Sequence, residues 1–159
     1  MARIALAAND GWGVVNFRSG LIRALTGAGH EVVVIAPDGP HSAAIRALGV
    51  HFHPLALQSR GQSPAADLLL LWRYRRLLKR IAPDAFLGFT AKPNIWGSIA
   101  AGSLGIAVIN NISGLGTAFI QGGRLERLVS ALYRRALRRS ATVFFQNGDD
   151  RALFVGRGL

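Results

Sequence analysis

The chain has 159 residues, 19 Lys+Arg against 8 Asp+Glu, a formal charge of +11, 50% hydrophobic residues and no cysteine. That length suits one domain with a real core, and the apolar content argues against disorder. Without cysteine there is no disulfide framework, zinc–thiolate site, iron–sulfur cluster or cysteine nucleophile. A surface this basic calls for an anionic partner, whether nucleic acid, anionic lipid or a phosphorylated ligand. All basic residues except Lys79 and Lys92 are arginine, and the excess concentrates in segments 73–80 and 124–139.

Strands and helices alternate along the chain. Arg3–Ala8 reads as a short apolar strand, too short for a signal-peptide core, and a polar loop follows through Asn16. Phe17–Ala28 carries Leu21, Ile22 and Leu25 at helical spacing and stops at Gly27 and Gly29. The unalternating run Val32-Val33-Val34-Ile35, within Glu31–Ala36, predicts a strand covered on both faces. Pro37-Asp38-Gly39-Pro40 ends it with turn chemistry. A short helix at Ser42–Leu48 leads to a strand at Val50–Pro54, and Leu55–Pro64 is a loop.

Ala65–Ile81 predicts a long helix ended by Pro83, then a strand at Asp84–Phe89. Pro93–Leu104 predicts a helix with proline at its start. A strand at Ile106–Ile109 runs into Asn110-Asn111 and a glycine-rich loop over 113–123. Leu125–Arg139 is a helix, Thr142–Phe145 a strand, and Asp149–Val155 opens a final helix. No stretch supplies the about 20 apolar residues needed to cross a bilayer. The order predicts an α/β fold, a Rossmann-like, doubly wound, mostly parallel sheet.

In such a sheet, ligands bind at the carboxyl ends of the strands. After the first strand, Gly11 and Gly13 allow close backbone approach, and the next helix offers amides to an anion. The same glycines equally serve a tight turn. A dinucleotide fingerprint needs a third glycine where Asn16 stands, and no acidic residue ends strand two. After the fourth strand, Lys92 precedes a helix start, where it suits a single phosphate or sugar oxygen; a solvated loop lysine is the alternative. After the fifth, Asn110 to Phe119 offers amides and small residues to a hydroxyl-rich ligand, or to turns.

Catalytic groupings are sparse. Glu31 and Glu126 are the only glutamates, and no Gly-x-Ser-x-Gly elbow occurs. His51 and His53 share a strand face without a third ligand, so no metal site is expected. The basic segments lie on amphipathic helices. Leu125, Leu128, Val129, Leu132 and Ala136 form one stripe, with Arg124, Arg127, Arg134, Arg135 and Arg138 largely away from it. Arg73, Arg76 and Arg80 recur beside Trp72 and Tyr74. Acids are nearly absent from both helices, so pairing within the helix does not account for the charge. A solvated face is one reading; attraction to anionic lipid headgroups, about 1 kcal/mol per basic residue, is the other.

Five segments together carry a family resemblance. They are Asn16-Phe17-Arg18, Ala28-Gly29-His30-Glu31-Val32, Thr90-Ala91-Lys92-Pro93-Asn94, Asn111 to Gly116, and Phe145 to Asp150. In order, and over the whole chain, they resemble the N-terminal half of bacterial family 4 glycosyltransferases, nearest the branch that extends lipid-pyrophosphate-linked sugars. The resemblance implies a GT-B architecture, with an acceptor-binding N-terminal domain facing a C-terminal donor domain. It implies that Gly11, Trp12, Gly13, Asn16 and Arg18 approach the reaction centre and donor phosphate. It also implies that Thr90, Lys92, Asn94, Asn111, Gly114 and Gly116 line the acceptor side. Many relatives have histidine just before the Thr-x-Lys-Pro-Asn segment; here Gly88 and Phe89 stand there.

The family's Glu-x7-Glu motif belongs to the donor half, and this chain's two glutamates cannot form it. Residues 1–159 are therefore expected to be a single N-terminal domain, inactive alone, without the donor domain. It would bind no cofactor itself, a nucleotide-sugar donor, with UDP-sugar the first expectation, belonging to the full-length enzyme. The expected partners are a lipid-linked saccharide and an anionic membrane surface, with no nucleic acid. Arg73, Arg76, Arg80, Arg134, Arg135, Arg138 and Arg139 are the expected membrane contacts, at the cytoplasmic face of the cell membrane. A nucleotide- or dinucleotide-binding Rossmann domain of another enzyme is the alternative.

Overall fold

A computed structural model describes residues 1–57, 63–114 and 123–159, with the side chain of Arg124 outside that set. Among these residues, six strands form one sheet: β1 (Arg3–Ala7), β2 (Glu31–Ala36), β3 (His51–Pro54), β4 (Ala85–Phe89), β5 (Ala107–Ile112) and β6 (Ser140–Phe145). The order is β3-β2-β1-β4-β5-β6, and every pairing is parallel. The winding direction reverses between β1 and β4, which opens a crevice at their carboxyl ends.

The apolar run in β2 forms a strand because helices cover both its faces; Val34, Ile35 and Ala36 are fully buried. On one face, α1 (Gly11–Gly13), a π-helical turn (Val14–Arg18), α2 (Ser19–Gly27) and α3 (Ser42–Arg46) pack through Val14, Ile22 and Ile45 onto Leu6, Val34 and Phe89. On the other, α4 (Pro64–Ile81) and α5 (Ser98–Ser103) place Leu70, Tyr74, Leu78, Ala100 and Ala101 against Ala5, Phe86 and Val108. A second π-helical turn (Pro93–Gly97) leads into α5. Helices α6 (Gly123–Leu137) and α7 (Gly148–Gly156) close the β5–β6 end through Tyr133 and Phe154, whose rings meet edge to face at 5.2 Å.

Long helix α4 starts and stops where its sequence signals lie. Ser63 Oγ accepts from the Ala66 amide, Pro64 takes the first turn, and Ala82, with φ of 48°, ends it ahead of Pro83. Three expectations need correction. The segment 11–16 is helical rather than a loop, because the Asp10 carboxylate caps it by accepting from the Gly13 amide at 2.6 Å. The predicted helix over Pro93–Leu104 opens as a π turn. Strand β5 extends through Asn110 and Asn111, because Asn110 is fully buried yet fully bonded.

That bonding is a side-chain network across three strands' worth of structure. Asn110 Nδ2 donates to Asn94 Oδ1 and to Ser98 Oγ, both at 2.8 Å. Ser140 Oγ donates to Asn110 Oδ1 at 2.7 Å, and Asn94 Nδ2 donates to the Asn111 carbonyl at 2.8 Å. Gly88 leaves room for it: a Cβ there would lie 2.6 Å from Asn94 Oδ1. Gly97 is equally constrained, since its Cβ would fall 2.3 Å from Phe86 Cζ.

Phe86 is fully buried and has nowhere to retreat. Gly97→Ala is expected to destabilise the chain by about 1–3 kcal/mol, as overpacking does. Gly20→Ala, within α2 and with open space around its Cβ, should instead gain about 0.5–1 kcal/mol. Urea denaturation of both variants checks the contrast.

Candidate functional site

The crevice between the carboxyl ends of β1 and β4 holds a cavity of about 480 Å3 lined by Asp10, Trp12, Phe17, Arg18, Phe89 and Thr90, among others. Two features narrow its floor. The Asn9 amide donates to Thr90 Oγ1 at 3.2 Å, joining the two strand exits directly. Thr90 itself has a φ of 69°, a left-handed conformation that a β-branched residue adopts at a cost of about 1–3 kcal/mol. Its hydroxyl in turn donates to the Phe89 carbonyl.

The wall beside α1 is aromatic. Trp12 and Phe17 meet edge to face at 5.1 Å while remaining 52% and 62% exposed. Burial does not hold large rings there, so their apolar faces stand available to a ligand. The Arg18 guanidinium lies 4.3 Å over the Phe89 ring, and partial burial pulls its pKa below the ordinary arginine value. The cavity therefore carries one carboxylate, one cation and an aromatic corner. Asn9 Oδ1 after β1 and Asn111 Oδ1 in β5 are buried without partners, but neither residue lines this cavity.

The structure brings Trp12, Gly13, Arg18 and Thr90 together in this cavity. Others stand elsewhere. Gly11 lies against α3, where a Cβ would be 3.1 Å from His41 Cβ. Asn16 Nδ2 donates back to the Trp12 carbonyl at 2.9 Å. Lys92 is ion-paired to Asp67 at 3.0 Å and lines a separate cavity. Asn94 is 1% exposed and belongs to the buried amide network. Asn111 contributes its carbonyl to that network. Gly114 is exposed with φ of 131°, and Gly116 lies outside the described residues.

The expectation that the helix after β1 offers free amides to an anion needs revising, since the Asp10 carboxylate already occupies the Gly13 amide. Sequence reasoning missed Asp10, whose spacing three residues before Gly13 is the N-cap signal. Phe89 and Gln146, which sequence reasoning did not place at the site, also line the cavity, as does Ser113 from the stretch offered to a hydroxyl-rich ligand. Among the described residues, no group of three His, Asp or Glu is placed to hold a metal ion.

Two comparisons bear on this crevice. Residues 3–147 match the family described as glycosyl transferase 4-like. The chain belongs to that family. No curated protein matches it. Among solved structures, it is similar to MurG from Acinetobacter baumannii, with TM-score 0.65 and 19% identity over 91% of this chain and 41% of that one. It is similar to the UDP-GlcNAc 2-epimerase of Methanocaldococcus jannaschii, with TM-score 0.65 and 16% identity over 99% and 42%. Anabaena HepE, solved with UDP and glucose, gives TM-score 0.68 and 14% identity over 99% and 42%.

These likenesses establish the fold, an N-terminal GT-B domain with a Rossmann-like sheet. The chain spans less than half the length of each of those three structures. Removing the α1 cap tests the local geometry of the family crevice. Asp10→Ala is expected to cost about 0.5–2 kcal/mol, read as a fall of a few degrees in the thermal midpoint.

Proposed function

We propose that this glycosyl transferase 4-like chain is the acceptor-binding half of an enzyme that transfers a sugar from a nucleotide-sugar donor to a lipid-pyrophosphate-linked saccharide. The observation that carries the reading is the cavity at the β1–β4 reversal, where an exposed Trp12–Phe17 corner stands beside Arg18, Asp10 and Thr90. An aromatic corner suits the apolar face of a sugar ring. Arg18 supplies the cation for a nearby phosphate. A nucleotide-binding reading is less favoured, because a carboxylate caps the helix N-terminus that would otherwise receive phosphate.

The lipid end of such an acceptor requires a membrane surface. No helix among the described residues is long and apolar enough to cross a membrane. Of the two basic helices, α4 offers the better interfacial face. Leu68 and Trp72 are exposed, Arg76 stacks over Trp72 at 5.4 Å, and Lys79 and Arg80 follow on exposed positions. Arg73 instead turns to the Ala56 carbonyl at 3.0 Å. On α6, Arg134 binds the carbonyls of Arg157 and Gly158, and in the turn after it Arg139 binds that of Gly102. Arg135 and Arg138 are exposed like them. An apolar strip flanked by cations fits insertion at an anionic headgroup layer.

The 159-residue chain is expected to bind a short-chain polyprenyl-pyrophosphate-linked N-acetylglucosamine, moving the Trp12 indole resonance, and to ignore UDP-N-acetylglucosamine. Tight nucleotide binding without saccharide binding would overturn the assignment. In sedimentation with phosphatidylglycerol vesicles, Leu68→Glu with Trp72→Glu should reduce binding at least tenfold. Replacing Arg134, Arg135, Arg138 and Arg139 by Gln should weaken it less. The reverse ranking would move the membrane face to α6.

A further inference from the structure

A second and larger cavity, about 650 Å3, opens on the same carboxyl edge of the sheet, beyond β2 and β3. Its size falls within the roughly 300–1,000 Å3 typical of small-molecule sites. Leu57, Leu69 and Leu70 give it apolar walls, and Asp38, Asp67 and Lys92 give it polar ones. It lies on the other side of one short loop from the crevice. Thr90 lines the first cavity and Lys92, two residues on, lines this one.

The charges here are arranged in pairs or already engaged. Lys92 Nζ holds Asp67 Oδ1 at 3.0 Å, with only 14% and 19% of the two side chains exposed. Asp38 Oδ1 accepts from Ser42 Oγ at 2.6 Å, and that hydrogen bond holds the carboxyl below its ordinary pKa. The Arg73 guanidinium is bonded to the Ala56 carbonyl. Lys92 and Arg73 together offset the two carboxylates Asp38 and Asp67, so an incoming phosphate would find no net positive charge and two carboxylates to repel it, which disfavours it. A neutral ligand meets no such opposition. Carboxylates accept from hydroxyls, the ammonium donates to ring and hydroxyl oxygens, and the leucines cover the apolar face of a ring.

We infer that this cavity is a subsite for a neutral saccharide unit of an extended acceptor, whose reacting end lies across the loop in the β1–β4 crevice. The inference rests on the acceptor-binding reading above and adds to it the acceptor's length: more than one sugar, with the inner or outer unit held by Asp67 and Lys92. Lys92 then recognises a sugar oxygen, and the phosphate role is left to the crevice.

The test uses the 159-residue chain, with Leu57 and Leu69 methyl resonances reporting this cavity and the Trp12 indole reporting the crevice. N-acetylglucosamine, chitotriose, maltotriose and mannotriose serve as neutral probes, with inorganic phosphate as the anionic one. At least one trisaccharide should move both sets of reporters and bind about tenfold more tightly than the monosaccharide. Asp67→Asn and the paired change Asp67→Leu with Lys92→Met should each remove that advantage while the Trp12 response persists, which also shows that the variants fold. If Trp12 responds and the leucines do not, the subsite is overturned and the crevice reading stands. If the leucines respond alone, the subsite stands and the crevice reading falls. Silence from every reporter, or leucine shifts with phosphate in place of sugars, overturns the subsite.

Discussion

The position of the loop after β4 depends on a buried network of uncharged side chains. Asn94 and Asn110 satisfy each other inside the fold, Ser98 and Ser140 complete the set, and Gly88 leaves the space they need. Each amide left unpaired in such a place would cost about 1–3 kcal/mol, so the members stand or fall together. The network joins β4, β5, β6 and the helix after β4 at the edge of the reversal point. Thr90 can hold a left-handed backbone because its flanks are fixed this way and because Asn9 bonds it from the neighbouring strand.

Both strands that border the crevice are followed by π-helical turns, Val14–Arg18 after β1 and Pro93–Gly97 after β4. Each turn takes one more residue than an α-helical turn, which re-aims the side chains around it. After β1 this sets Phe17 against Trp12 and Arg18 over Phe89. After β4 it turns Asn94 inward to the amide network and brings Gly97 onto Phe86. This chain thus presents a crevice whose polar and aromatic edges come from helix irregularities and whose lining includes one strained threonine.

Charge divides the surface by function in the same way. Lys92, expected as a free cation, is paired with Asp67, whereas Arg18 stacks on an aromatic ring beside the crevice. Several arginines of the two basic helices bind backbone carbonyls, at Ala56, Gly102, Arg157 and Gly158. Such contacts tie those guanidinium groups to helix ends and loops while they stay at the surface. Outward on α4 is a run of cations next to exposed leucine and tryptophan.

The sequence by itself determined the alternation of strands and helices, because hydrophobic periodicity and Gly/Pro punctuation are local properties. The β2 run and the α4 boundaries followed directly from them. It also carried the family, through motifs spread over the whole length. Tertiary structure decided what each polar residue does. Asn94 and Asn110 read as ligand-binding amides, yet lie in the core, because whether an amide meets solvent or another amide depends on strands distant in the chain. Asp10 became a cap, and Phe89 and Gln146 became cavity walls, for the same reason: a crevice is formed by strand exits that only the order of the sheet brings side by side.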